Sequence, residues 1–118
     1  MKIALDWLNR QKPGNTAKFL NLEYIETVGD VYKLKATFPI ETTNPMNMVQ
    51  GGMITAALDD ATAMVVISAY NFEIGPLTTD LHVLFHRPVA LGEAMIEVRI
   101  IKLGKKLATV EGKLFNSE

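Results

Sequence analysis

The stretch 50–70, QGGMITAALDDATAMVVISAY, constrains this chain more than any other. It reads as a long helix that is apolar almost all the way round, which belongs inside a core. Yet two adjacent carboxylates, Asp59 and Asp60, sit near its middle. An ionised carboxylate left unpaired in a core is costly. The rest of the chain must therefore wrap most of one helix and still give these acids a partner or a cleft.

The flanking sequence supplies a wrapping surface. Two β-like runs, Leu20–Thr27 and Val31–Ile40, are split by Gly29-Asp30, a hairpin signal. Residues 41–49 form a loop, because Asn44-Pro45 is a breaker pair and the residue before proline is pushed out of helical space. After Gly75-Pro76 come three more β-like runs, Leu77–Arg87, Glu93–Leu103 and Lys106–Phe115. Alternation is clearest in Ile96-Glu97-Val98-Arg99-Ile100, the period of a half-buried strand. At the start, Ile3, Trp7 and Leu8 predict a short amphipathic helix over 3–11, stopped by Pro13-Gly14, with Trp7 as a packing anchor.

The order is thus helix, two strands, long helix, three strands. It predicts an α+β fold, with a five-stranded antiparallel sheet around one central helix and a short helix before it. All 118 residues form a single domain in this reading. Such a sheet leaves edges exposed, and pairing them in a homo-oligomer is a natural remedy.

Composition narrows the function classes. A net charge of -1 gives no global attraction for nucleic acid. With no cysteine there is no disulfide framework, thiolate metal site or thiol nucleophile. The first residues, MKIALDWLNRQKP, lack the pattern of a signal peptide, and the nearly apolar run Ala61–Tyr70 is short for a bilayer span. The expectation is a soluble cytoplasmic protein with no membrane partner.

Adjacent helical residues point roughly 100° apart, so the two acids serve different faces. Asp59 shares its stripe with Gly52, Thr55, Thr62 and Ala63; Asp60 shares one with Met53, Ala56, Ala63 and Met64. The more polar stripe suits a working charge beside a cleft, which favours Asp59. The plainer reading makes one acid a satisfied structural group and leaves the other facing solvent or a subunit contact. Gln50-Gly51-Gly52 stands where the helix begins, and free N–H groups there can face a developing negative charge. Glycine also lets a ligand approach the backbone.

Together, Asn44, Gln50-Gly51-Gly52, Leu58-Asp59 and the run Thr79-Asp80-Leu81-His82-Val83-Leu84-Phe85-His86-Arg87-Pro88 resemble the hotdog-fold acyl-CoA thioesterases. The phenylacetic-acid-pathway branch, within the wider 4-hydroxybenzoyl-CoA thioesterase superfamily, is the closest in pattern. The resemblance covers residues from about 20 onward. It implies hydrolysis of an acyl-CoA thioester to a free acid and CoA, with no cofactor and no metal. By position, it makes Asp59 the general base or nucleophile and Gly51 the backbone donor that polarises the carbonyl. Asn44 becomes a side chain that places water. Gln50 and Gly52 lie at the substrate, as does Thr78, whose hydroxyl in some members arrives from a neighbouring subunit. The assembly implied is a dimer or tetramer. Gln50 stands where the pattern has His, so an amide takes over the orienting task. Two other readings stay open: a hydratase or dehydratase on the same fold, which usually pairs His with an acid, and a module that binds acyl-CoA or lipid without hydrolysis.

Other clusters carry less. Asp80, His82 and His86 share a strand face and are metal-ligand types, but an outer or inter-subunit face explains them as well. Lys102, Lys105 and Lys106, with Arg87 and Arg99, read first as solvated positions and second as contacts for the phosphates of coenzyme A. Met46, Met48, Met53 and Met64 suit core packing and an adaptable acyl pocket equally.

Overall fold

The computed structural model describes residues 15–73 and 75–117. The helix expected over 3–11 lies outside them. A short helix α1, Thr16–Phe19, is capped by Asn15, whose side chain accepts from the Lys18 N–H at 2.9 Å. Strands β1, Glu23–Val28, and β2, Val31–Phe38, follow, then a 3-10 turn over Ile40–Thr42. Helix α2 spans Gly51–Ala69, and strands β3, Gly92–Leu103, and β4, Ala108–Asn116, complete the described elements.

The four strands form one antiparallel sheet in the order β1-β2-β3-β4. Register aligns the inward rows: Leu34 opposes Ile96 and Ala36 opposes Ala94, and all four are fully buried. Alternation in the sequence thus becomes one apolar sheet face. Against it lies α2, through Ile54, Ala57, Ala61 and Val65, at helical spacing and all buried. Two of these are alanines, which let the helix axis come close to the sheet. Nineteen apolar-rich residues have the length of a membrane span; here one side of the helix is taken up by the sheet.

Gly112 brings β4 nearer still. A Cβ on it would lie 3.2 Å from methyl carbons of both Leu58 and Thr62. The absent side chain is where the strand receives the helix, immediately beside Asp59.

Two expectations change. Four strands form among the described residues, not five: the run Leu77–Arg87 is extended chain without a ladder partner. Its alternation permits pairing, but a strand also needs a free neighbouring edge, and this segment lies away from β4. Likewise β1 begins at Glu23, not Leu20. Leu20 and Leu22 are buried as the exit of α1, where the Leu22 N–H donates to the Ala17 carbonyl at 2.9 Å.

Candidate active site

Between the extended segment 75–89, the exposed side of α2 and the free edge of β4 runs a cleft of about 1500 Å³. That exceeds the usual size of a small-molecule pocket, as befits a space walled on one side by chain that joins no strand ladder among the described residues. Asp59 lines it, as do Leu58, Thr62 and Thr78. The Thr78 hydroxyl donates to Asp59 Oδ1 at 2.7 Å. This bond forms within one chain, so it needs no neighbouring subunit. It leaves Oδ2 as the carboxylate oxygen open to the cleft.

Asp60 does something else. Its Oδ2 accepts from the Thr16 hydroxyl at 2.6 Å, tying α1 to α2. Burial pushes its carboxyl above the ordinary range; the Thr16 bond opposes this and the nearby Asp59 charge adds to it. The two acids thus face opposite neighbours, a cleft and a helix junction. The hydroxyls on the Asp59 stripe do not serve it: Thr55 donates to the Gly51 carbonyl, and Thr62 to those of Leu58 and Asp59.

At the start of α2, Gln50 is the N-cap. Its Oε1 accepts from the Met53 N–H at 3.2 Å, and its own carbonyl accepts from the same group at 2.9 Å. A Cβ on Gly52 would meet that Oε1 at 2.7 Å, so glycine makes room for the cap. The N–H groups of Gly51 and Gly52 have no acceptor among the described residues, as expected in a first helical turn. Over Gly51 lies the Phe85 ring, whose edge would be 3.4 Å from an added Cβ. Nothing in the periodicity of 77–87 indicated that contact.

Asn44 holds the loop. Its Oδ1 accepts from the N–H groups of Met46, at 2.9 Å, and Met48, at 3.2 Å, while its own N–H donates to the Met48 carbonyl at 2.8 Å. Gln50 and Asn44, assigned to substrate and water from the sequence, thus spend their side-chain oxygens on local backbone in this structure. Their amide nitrogens, Nδ2 of Asn44 and Nε2 of Gln50, have no partner among the described residues. Met64 is core and Met53 packs against it, whereas Met46 and Met48 are exposed and away from the cleft. Asp80, His82 and His86 line the cleft, but no three potential ligands gather there among the described residues.

Gly51 and Asp59 do not meet. Eight residues at the helical rise of 1.5 Å put them roughly 12 Å apart along the axis. A carbonyl bond is about 1.2 Å long. No single carbonyl reaches both groups of one chain.

Residues 46–118 match the thioesterase superfamily. Among solved structures, a phenylacetic acid degradation-related protein of Ralstonia eutropha JMP134 superposes with a TM-score of 0.84 at 25% identity, over 97% of this chain and 89% of that one. Zebra fish thioesterase superfamily member 2 gives 0.79 at 17% identity, over 98% and 83%. A Bacillus halodurans protein solved with CoA gives 0.71 at 20%, over 98% and 80%. No curated protein matches the chain. With a central helix in an antiparallel sheet and most of its length matched, this chain belongs to the thioesterase superfamily and has its hotdog fold.

Proposed function

We propose that the protein hydrolyses an acyl-CoA thioester to a carboxylic acid and free CoA. The observation that carries this is the Asp59 carboxylate, held by Thr78 in a cleft with apolar walls, in a chain of this superfamily. Likeness in fold to the CoA-bound Bacillus halodurans protein supports CoA as the carrier.

Thr78 fixes the rotamer of Asp59 through Oδ1, and Oδ2 either takes a proton from an attacking water or attacks the carbonyl itself. In the first route a hydroxide equivalent adds to the carbonyl carbon, the C–S bond breaks, and the thiolate leaves and is protonated. In the second, Oδ2 adds to the carbonyl carbon, the C–S bond breaks and the thiolate leaves and is protonated; water then opens the acyl-aspartyl anhydride to the free acid and the Asp59 carboxylate. Both routes put negative charge on the carbonyl oxygen, and an N–H such as that of Gly51 would stabilise it.

Because one chain keeps those groups about 12 Å apart, the site we propose is composite: Asp59 of one protomer acts with Gly51 of a second. Arg87, Lys105 and Lys106 line the cleft and are exposed, and in this reading they meet the phosphates of CoA. Purified protein incubated with a panel of acyl-CoA esters should release free thiol. Binding of CoA with no thiol released from any ester would instead make this a binding module. Addition of water to an unsaturated acyl-CoA would make it a hydratase.

A further inference from the structure

One hydroxyl ties the β3–β4 hairpin to the end of α2. Tyr70, which closes the helix, donates from Oη to the Gly104 carbonyl. The N–H of the same glycine donates to the Leu107 carbonyl at 2.9 Å and closes the turn. A Cβ on Gly104 would lie 2.6 Å from the Leu107 carbonyl oxygen, a backbone atom that cannot step aside. The turn is therefore built around one residue with both its polar groups engaged.

Tyr70 itself is held firmly. Its N–H donates to the Val66 carbonyl, and its carbonyl accepts from the Glu73 N–H. The chain then leaves the helix through Asn71 and Phe72, at φ 56° and 65°. Consecutive non-glycine residues in this left-handed region are uncommon, an aromatic one especially, and persist where surroundings over-determine them. On the far side of the tether, the residues after Gly104 are Lys105 and Lys106. Both are exposed, line the cleft that holds Asp59, and make no ion pair among the described residues.

We propose that Tyr70 is a specificity-determining positioning residue, whose hydroxyl holds the Lys105–Lys106 turn where it meets the diphosphate of a nucleotide-bearing thioester. The inference rests on the acyl-CoA reading above and names what selects the carrier. Distances along the helix agree with it. Eleven residues from Asp59 to Tyr70 span roughly 16 Å. In CoA a dozen bonds separate the thioester sulfur from the first phosphate, comparable to four residues of extended backbone or roughly 14 Å. An arm laid along α2 from Asp59 thus delivers its phosphates to the level of this hairpin. Lysine is a point charge on a flexible stem, so its grip depends on where its backbone is fixed.

The test compares one acyl group carried on CoA and on pantetheine, which lacks the diphosphate and nucleotide. Wild type, Tyr70→Phe and Lys105→Ala/Lys106→Ala are assayed on both esters. In Tyr70→Phe, KM for the CoA ester should rise about tenfold, the size of one net hydrogen bond. Its kcat, and KM for the pantetheine ester, should stay at wild-type values. The double lysine variant should behave alike, and adding Tyr70→Phe to it should raise KM no further. An equal rise on both esters, or no rise on the CoA ester, overturns the proposal. If wild type cleaves neither ester, hydrolysis fails as a reading, and calorimetry with free CoA and pantetheine makes the same comparison. Weaker binding of CoA alone in Tyr70→Phe then upholds the tether; equal weakening, or none, overturns it.

Discussion

Asp59 and Asp60 are neighbours with opposite duties, and substituting each by its amide separates those duties. Asp59→Asn keeps size and hydrogen bonding but is neither base nor anionic nucleophile, so kcat/KM for thioester hydrolysis should fall by at least about 10²-fold. Asp60→Asn should leave that parameter within a few-fold of wild type; the reverse ranking would mean that the wrong face of the helix has been assigned to the chemistry. The second variant also has a stability signature. Because the folded carboxyl of Asp60 is shifted above its ordinary value, the folded state binds its proton more tightly than the unfolded state does. That contribution is complete below the unfolded value near 3.8 and is lost as pH rises through the raised folded value. At neutral pH wild type holds a partly desolvated charge, which the amide does not. Thermal melts should therefore show Asp60→Asn the more stable protein at pH 7, with the gap closing as pH approaches 4. A gap that widens on acidification would contradict the assigned sign.

Among the elements, α2 was the most legible in sequence. An apolar run opened by Gln-Gly-Gly reads as a core helix, and it spans Gly51–Ala69 within the stretch 50–70. The separate faces of the two acids also follow from periodicity alone. Other features depend on residues far apart in the chain and left no local signal. The bond of Thr16 to Asp60 is one, and Phe85 over Gly51 is another. Leu77–Arg87 shows the limit most clearly, since alternation specifies a face but not a neighbour. The Gln50 cap left no such signal either, because the side chains that usually cap are the short ones, Ser, Thr, Asp and Asn. Gly112 offers a test at this scale. In Gly112→Ala the new methyl meets Leu58 and Thr62 at 3.2 Å, and Thr62 is held by hydroxyl bonds to the Leu58 and Asp59 carbonyls. The strand should move instead, at a cost of about 1–3 kcal/mol, read as a lowered denaturation midpoint. A midpoint equal to that of wild type would mean the helix adjusts freely.

For the whole molecule, the decisive feature is the roughly 12 Å between Gly51 and Asp59 on one helix. A site that needs both requires a second copy. Apolar side chains are left over for such a contact: Leu77 is 88% exposed and Leu84 69%, on a segment that joins no strand among the described residues. Sedimentation at micromolar concentration should show a dimer or larger, and a monomer alone would remove the composite site. Complementation is a sharper measurement. Gly51→Pro removes the donor at a helical position that tolerates proline, and Asp59→Asn removes the carboxylate. Each protein should be inactive by itself. Refolded together in equal amounts, they should recover roughly one quarter of wild-type activity, because half of randomly paired dimers then hold one intact site of two. No recovery would place both groups in the service of a single chain.

Between residues 75 and 88, no backbone amide bonds to another backbone group among the described residues, and that has a consequence for time as well as space. Amide protons in this segment should trade with deuterium far faster than those of β2, β3 or α2, which open only with the fold itself. If association covers the segment, its exchange slows as protein concentration rises while exchange in the central strands stays constant. The same stretch of chain would then report, residue by residue, how long each protomer keeps its partner.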